Sequence, residues 1–94
     1  MKKNKSCKIR VFALLRELIG VKEVELNFPG DLTVFDLLNL FVDKFGEKVY
    51  HHLFDEDGKV KESYLFLLNG KTVTLETKVK DGDVLAILPP IIGG

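Results

Sequence analysis

Hydrophobic and polar positions alternate at two places near the start of the chain. In "KIRVFA", Ile9 and Val11 are interleaved with Lys8 and Arg10, as in a half-buried strand. In "VKEVELNF", Val24, Leu26 and Phe28 fall on one face, and Glu23, Glu25 and Asn27 on the other. A short turn-helix through "LLRELIG" joins the two, stopped by Gly20, so they are expected to form a hairpin-like pair. After "PG" the period changes: Val34, Leu37, Leu38, Phe41 and Phe45 recur at helical spacing. Thr33 with Asp36 three residues later predicts a capping box at the start of this helix, and Gly46 predicts its stop. An irregular stretch, "EKVYHHLFDEDGKVKES", follows. "YLFLLNGKTVTL" then predicts a strand, an Asn69-Gly70 turn of the I′ type and a short return strand. "KDGD" turns the chain into "VLAIL", an apolar run that reads as a strand covered on both faces.

The expected order is ββαβββ, with the final strand returning beside the first. This is an α+β domain whose mixed sheet packs on one main helix, the ubiquitin-like β-grasp. A single helix covers one sheet face and should leave the other polar. Here Tyr64, Phe66 and Leu68 lie on one parity and Leu65 and Leu67 on the other, while Leu85 and Ile87 oppose Val84, Ala86 and Leu88. Apolar residues of both parities call for a cover on the second face, either flanking loop residues or a partner; the partner surface is assigned to Phe12, Leu65, Leu67 and Ile87.

Composition narrows the class. A chain of 94 residues makes one domain, 1–94. Its 14 basic and 14 acidic residues cancel, so no general field draws it to nucleic acid or an anionic membrane. No apolar run approaches the roughly 20 residues needed to span a bilayer. The opening "MKKNKSC" lacks the apolar segment of a secretion signal, and residues 1–7 are expected to be a flexible basic tail. Cys7 is the only cysteine, which suits a reducing compartment and predicts a cytoplasmic location, and no base can be set beside it to make a nucleophile.

Other candidate chemistry falls away on inspection. His51 and His52 are adjacent and point in different directions, with no cysteine or further histidine nearby, so no metal site is expected. Setting Asp55, Asp57 and Gly58 on the third, fifth and sixth positions of a calcium loop places Leu53 first and Tyr64 last, where carboxylates are required. Glu17, Asp36 and Asp43 sit where solvated helices and turns carry charge.

The C-terminal "PPIIGG" differs from the rest. Pro89 and Pro90 cannot continue a central ladder, so 89–94 is expected to leave the sheet as a semi-rigid arm reaching about 20 Å at most. Ile91 and Ile92 call for a receiving groove, and Gly93 and Gly94, without Cβ atoms, can pass a constriction. A terminal carboxylate becomes electrophilic when ATP converts it to a mixed anhydride. A sulfur donor would then leave a thiocarboxylate, whereas a protein thiol or lysine would attach the whole domain to another protein.

These residues resemble the small subunit of molybdopterin synthase, a ubiquitin-like sulfur carrier, over nearly the whole chain. "VFALLRELIG" carries the pattern through Phe12, Ala13, Leu15, Arg16, Glu17 and Gly20. "TVFDLL" and "LLNGKTV" match the helix start and the turn, and "VKDGDVLAILPPIIGG" matches the ending through Gly82, Asp83, Pro89, Pro90, Gly93 and Gly94.

The resemblance implies that an adenylating enzyme of the ubiquitin E1 class, using ATP, activates Gly94, and that a sulfurtransferase converts it to the thiocarboxylate. The arm would enter the large synthase subunit and give its sulfur to a pyranopterin precursor in molybdenum or tungsten cofactor synthesis. The chain would be no enzyme by itself and would hold no permanent cofactor. Gly94 would carry sulfur, Gly93 would give access, and Pro89, Pro90, Ile91 and Ile92 would guide the arm. Ile92 departs from the small residue usual before the Gly-Gly and needs a wider channel. The alternatives are a protein modifier joined to lysines, a carrier for transfer RNA thiolation or thiamine synthesis, and a non-covalent binding module. The thiamine carrier is usually shorter and lacks the double proline.

Overall fold

A computed structural model describes residues 4–89. Its elements are β1 (Asn4–Val11), α1 (Ala13–Ile19), β2 (Glu23–Pro29), β3 (Leu32–Thr33), α2 (Val34–Phe45), α3 (Glu47–Leu53), β4 (Leu65–Leu68), β5 (Lys71–Thr72), β6 (Lys78–Val79) and β7 (Val84–Leu88). The main sheet has the order β2-β1-β7-β4-β5, and β3 with β6 makes a small second one. β7 runs parallel to β1, with Ile9 beside Leu85 and Val11 beside Ile87. Its other edge is antiparallel to β4, with Phe66 beside Ile87 and Leu68 beside Leu85. The mixed sheet on a main helix is the β-grasp that the pattern predicts.

Pleating sorts the side chains. Cys7, Ile9 and Val11 of β1, Leu26 and Phe28 of β2, Phe66 and Leu68 of β4, and Leu85 and Ile87 of β7 are buried on one face. Against them α2 lays Val34, Leu37, Leu38 and Phe41, as the spacing predicts, and buries Val42 where Phe45 is expected; Phe45 is only half-buried. The helix starts where expected: Asp36 N–H donates to Thr33 Oγ1 at 3.2 Å, and Thr33 N–H donates to Asp36 Oδ2 at 3.1 Å. The hairpin turn also forms as read, with positive φ at both Asn69 (53°) and Gly70 (85°).

Four expectations are corrected. Residues 4–7 are not a tail: they form the first half of β1, paired from Asn4 opposite Pro29 to Cys7 opposite Leu26. Lysines and polar residues are tolerated here because only one face is buried; residues 1–3 lie outside the described residues. The stretch after Gly46 is not wholly irregular, because α3 occupies Glu47–Leu53. Gly46, at φ 91°, ends one helix and begins the next, and Val49 and Leu53, four apart, bury one face of α3. β7 is not covered on both faces: Leu85 and Ile87 are fully buried, but Val84, Ala86 and Leu88 are half-buried. Ile87 therefore faces the core at 0% exposure and is no part of a partner surface. The pairing of β3 with β6, each two residues long, gives too short a run for any periodicity to announce.

Among the described residues no helix is long and apolar enough to cross a membrane. Ile87→Ala should lower stability by about 2–5 kcal/mol, whereas Leu65→Ala, on the exposed face, should stay within about 0.5 kcal/mol. Urea unfolding of both variants checks this contrast.

Candidate functional site at the root of the C-terminal arm

β7 sits in the middle of the sheet, so its end delivers the chain between two strand ends. Leu88 lies opposite Leu65, and Val11, beside Ile87, is followed by Phe12. Pro89 is half-buried and follows the last ladder residue. Pro90, Ile91, Ile92, Gly93 and Gly94 lie outside the described residues. The structure thus brings Phe12, Leu65, Leu88 and Pro89 together at the root of the arm.

The outward face beside this root is graded across the strands. Leu65, 44% exposed, and half-buried Leu67 of β4 stand beside Leu88 and Ala86 of β7. Next come Lys8 and Arg10 of β1, exposed, and then Glu23 and Glu25 of β2. An apolar strip gives way to a basic row and then an acidic one. Of the docking residues read from sequence, Phe12, Leu65 and Leu67 lie on or beside this face, and Ile87 does not.

Phe12 is held from two sides. The Arg16 guanidinium carbon lies 5.2 Å from its ring centroid and that of Arg10 5.9 Å, both within cation–π range. Arg16 Nε–H also donates to the Val11 carbonyl at 3.2 Å, tying α1 to the end of β1. In the sequence Arg16 stands out only as part of "VFALLRELIG". The parity of Arg10 with Phe12, two residues on, carried the signal for the pairing.

The opposite end of β7 is a clamp. Asn69 Nδ2–H donates to Asp83 Oδ1 at 2.9 Å, and Val84 N–H to Asn69 Oδ1 at 2.9 Å. Lys80 N–H donates to Asp83 Oδ2 at 2.7 Å, Gly82 N–H to the Ser6 carbonyl at 2.8 Å, and Ser6 N–H to Asp81 Oδ1 at 2.8 Å. The "LLNG" and "KDGD" motifs therefore serve the fold: they lock the start of β7 to the hairpin turn and to β1.

Little else offers catalytic chemistry. Asp36 is spent on its cap. Among the described residues no three His, Cys, Asp or Glu side chains gather as a metal site. An open groove of about 610 Å³ is lined in part by Val60, Tyr64, Phe66, Val73 and Leu75. It includes no histidine or cysteine, and burial raises the pKa of its Tyr64 hydroxyl. Cys7 is 1% exposed; burial, with help from the Asp83 charge, pushes its thiol up to about 11, away from thiolate reactivity.

Comparison with known proteins shows what the chain is similar to. The model of the ThiS family matches residues 9–94. Small archaeal modifier protein 3 of Haloferax volcanii is 32% identical over 90 residues, which span 92% of this chain and 96% of that protein. The molybdopterin synthase sulfur carrier subunit of Drosophila yakuba is 36% identical over 84 residues, spanning 88% of this chain and 84% of the relative. The crystal structure of SAMP1 from Haloferax volcanii superposes with a TM-score of 0.87 at 32% identity, covering 95% of this chain and 99% of that one.

The buried thiol makes a prediction of definite sign. The native chain keeps the Cys7 proton to about pH 11 against an ordinary 9.0, so stability falls as pH rises between those values. Cys7→Ala should make that fall shallower in pH-dependent unfolding. Iodoacetamide near neutral pH should label Cys7 of the native protein far more slowly than that of the urea-unfolded chain.

Proposed function

The chain belongs to the ThiS family, and we propose that it serves as the sulfur-carrier small subunit of a molybdopterin synthase. The observation that carries this reading is the placement of β7. A rigid, clamped central strand ends in a double proline and a bare Gly-Gly, while the domain behind it holds no assembled catalytic group among its described residues. The likeness to sulfur carrier subunits over most of the chain supports it.

In this reading an adenylating enzyme of the E1 class joins the Gly94 carboxylate to the AMP moiety of ATP and releases pyrophosphate. A persulfide sulfur then attacks the carbonyl carbon and AMP leaves with the bonding pair; a second thiol attacks the donor's sulfur, forming a disulfide with it and expelling the thiocarboxylate at Gly94. Gly93 would let the arm pass a narrow channel, and Pro89 to Ile92 would guide and anchor it. Phe12, Leu65 and Leu67 dock the domain on the large subunit, whose own side chains supply acid–base catalysis as sulfur passes to the pyranopterin precursor. The chain contributes a substrate end rather than an active site.

A second reading has an observation of its own. The 32% identity to small archaeal modifier protein 3 covers the chain as fully as the sulfur-carrier likeness does. The same acyl adenylate attacked by a lysine amine would give an isopeptide at Gly94.

Reconstitution separates the two. Incubated with the adenylating enzyme of its own organism, ATP and a persulfide donor, the wild-type chain should gain the mass of sulfur in place of oxygen at Gly94. With the large subunit it should then convert the precursor to the dithiolene. Gly94→Ala should lose at least about tenfold in adenylation rate, a penalty of roughly 1.4 kcal/mol, with unchanged thermal stability. Thiocarboxylate formation without conversion, accompanied by Gly94 isopeptides in cells, would favour the modifier reading.

A further inference from the structure

Resting on the reading that the arm is adenylated, we propose that Arg10 and Arg16 form a cationic grip at the arm's root. It binds carboxylate side chains that the activating enzyme carries beside its arm-receiving channel. Both guanidinium groups are held over one ring, Phe12, at 5.9 and 5.2 Å. Arg16 spends Nε on the Val11 carbonyl, which fixes the side chain and leaves its Nη groups for another acceptor. Glu23 lies opposite Arg10 in the β1–β2 register, yet its carboxylate is 3.7 Å from Lys8 Nζ. The ion pairs among the described residues, Lys5–Asp31 and Lys8–Glu23, both use lysines.

Two guanidinium groups held over one ring, with no carboxylate partner among the described residues and next to an apolar strip, make a preorganised site. Arginine's planar fork suits carboxylates and phosphates, and ordering it in advance lowers the entropy lost on binding. The surroundings choose between these acceptors. Leu65, Leu67, Ala86 and Leu88 continue the surface on one side, and Glu23 and Glu25 lie on the other. A polyanionic nucleic acid would meet repulsion from the glutamates and gain nothing from the leucines. A protein with an acidic rim around an apolar patch matches both. The activating enzyme is the partner every covalent reading requires, because adenylation precedes sulfur transfer and lysine attachment alike.

The test is ATP–pyrophosphate exchange catalysed by the purified adenylating enzyme of the same organism, measured against carrier concentration. Arg10→Gln should raise KM about fivefold and Arg10→Glu at least about tenfold, with kcat within about twofold, the pattern of lost docking rather than lost chemistry. Arg10→Lys should recover most of the affinity, and Lys48→Glu, on α3 in the helical layer, should leave KM unchanged while altering net charge as Arg10→Glu does. Matching thermal unfolding of the variants sets folding defects apart. An unchanged KM in both Arg10→Gln and Arg10→Glu overturns the grip and leaves the carrier reading standing. Loss of binding to the organism's transfer RNA with KM intact overturns it in favour of nucleic acid. Absence of exchange by the wild-type chain overturns the carrier reading, and this inference with it.

Discussion

Everything about this domain turns on the pairing of β7 with both β1 and β4. A five-residue strand in the sheet centre, parallel to one neighbour and antiparallel to the other, spans about 17 Å. Leu85 and Ile87 anchor it in the core, and a one-residue slip would turn both out of it. The Asn69–Asp83 clamp secures its beginning, so its end has a fixed place between Phe12 and Leu65. Whatever follows Leu88 therefore departs from a fixed point on the domain.

The same constraint explains why the outward face is unlike that of a free-standing two-layer domain. α2 covers only the inner face, and the half-buried Ala86, Leu88 and Leu67 remain for another surface. In the proposed docking the apolar strip supplies contact area, while Arg10 and Arg16 add direction, since charge complementarity governs orientation and encounter more than raw affinity. The proposed division of chemistry makes the domain a handle and the terminus a substrate, with reacting groups in the proteins that receive it.

Much of this was legible in the residues because the long elements obey simple periods. The alternation in "KIRVFA" and "VKEVELNF", the helical stripe from Val34 to Phe41 and the Asn69-Gly70 turn all appear as read. What escaped depended on contacts. α3 was hidden because Gly46 reads as a stop, and nothing local says that a second helix begins on it. Residues 4–7 read as a tail because polar letters conceal a strand segment paired with β2 and tied at Ser6 to Asp81 and Gly82. Ile87 was placed on the docking face because an almost wholly apolar strand does not announce which parity meets the helix. The pairing of Arg10 and Arg16 on Phe12 needed the turn into α1, where Ala13 takes a positive φ of 52°.

The most direct test of the central claim, that the function of this chain resides in its terminal glycine, is the intact mass of the protein purified from its own cells without thiols. Fragmentation of the C-terminal peptide locates any change. The account predicts a population with sulfur replacing one oxygen at Gly94. Only free carboxylate, persisting after incubation with ATP, a sulfur donor and the cell's activating enzyme, would contradict it.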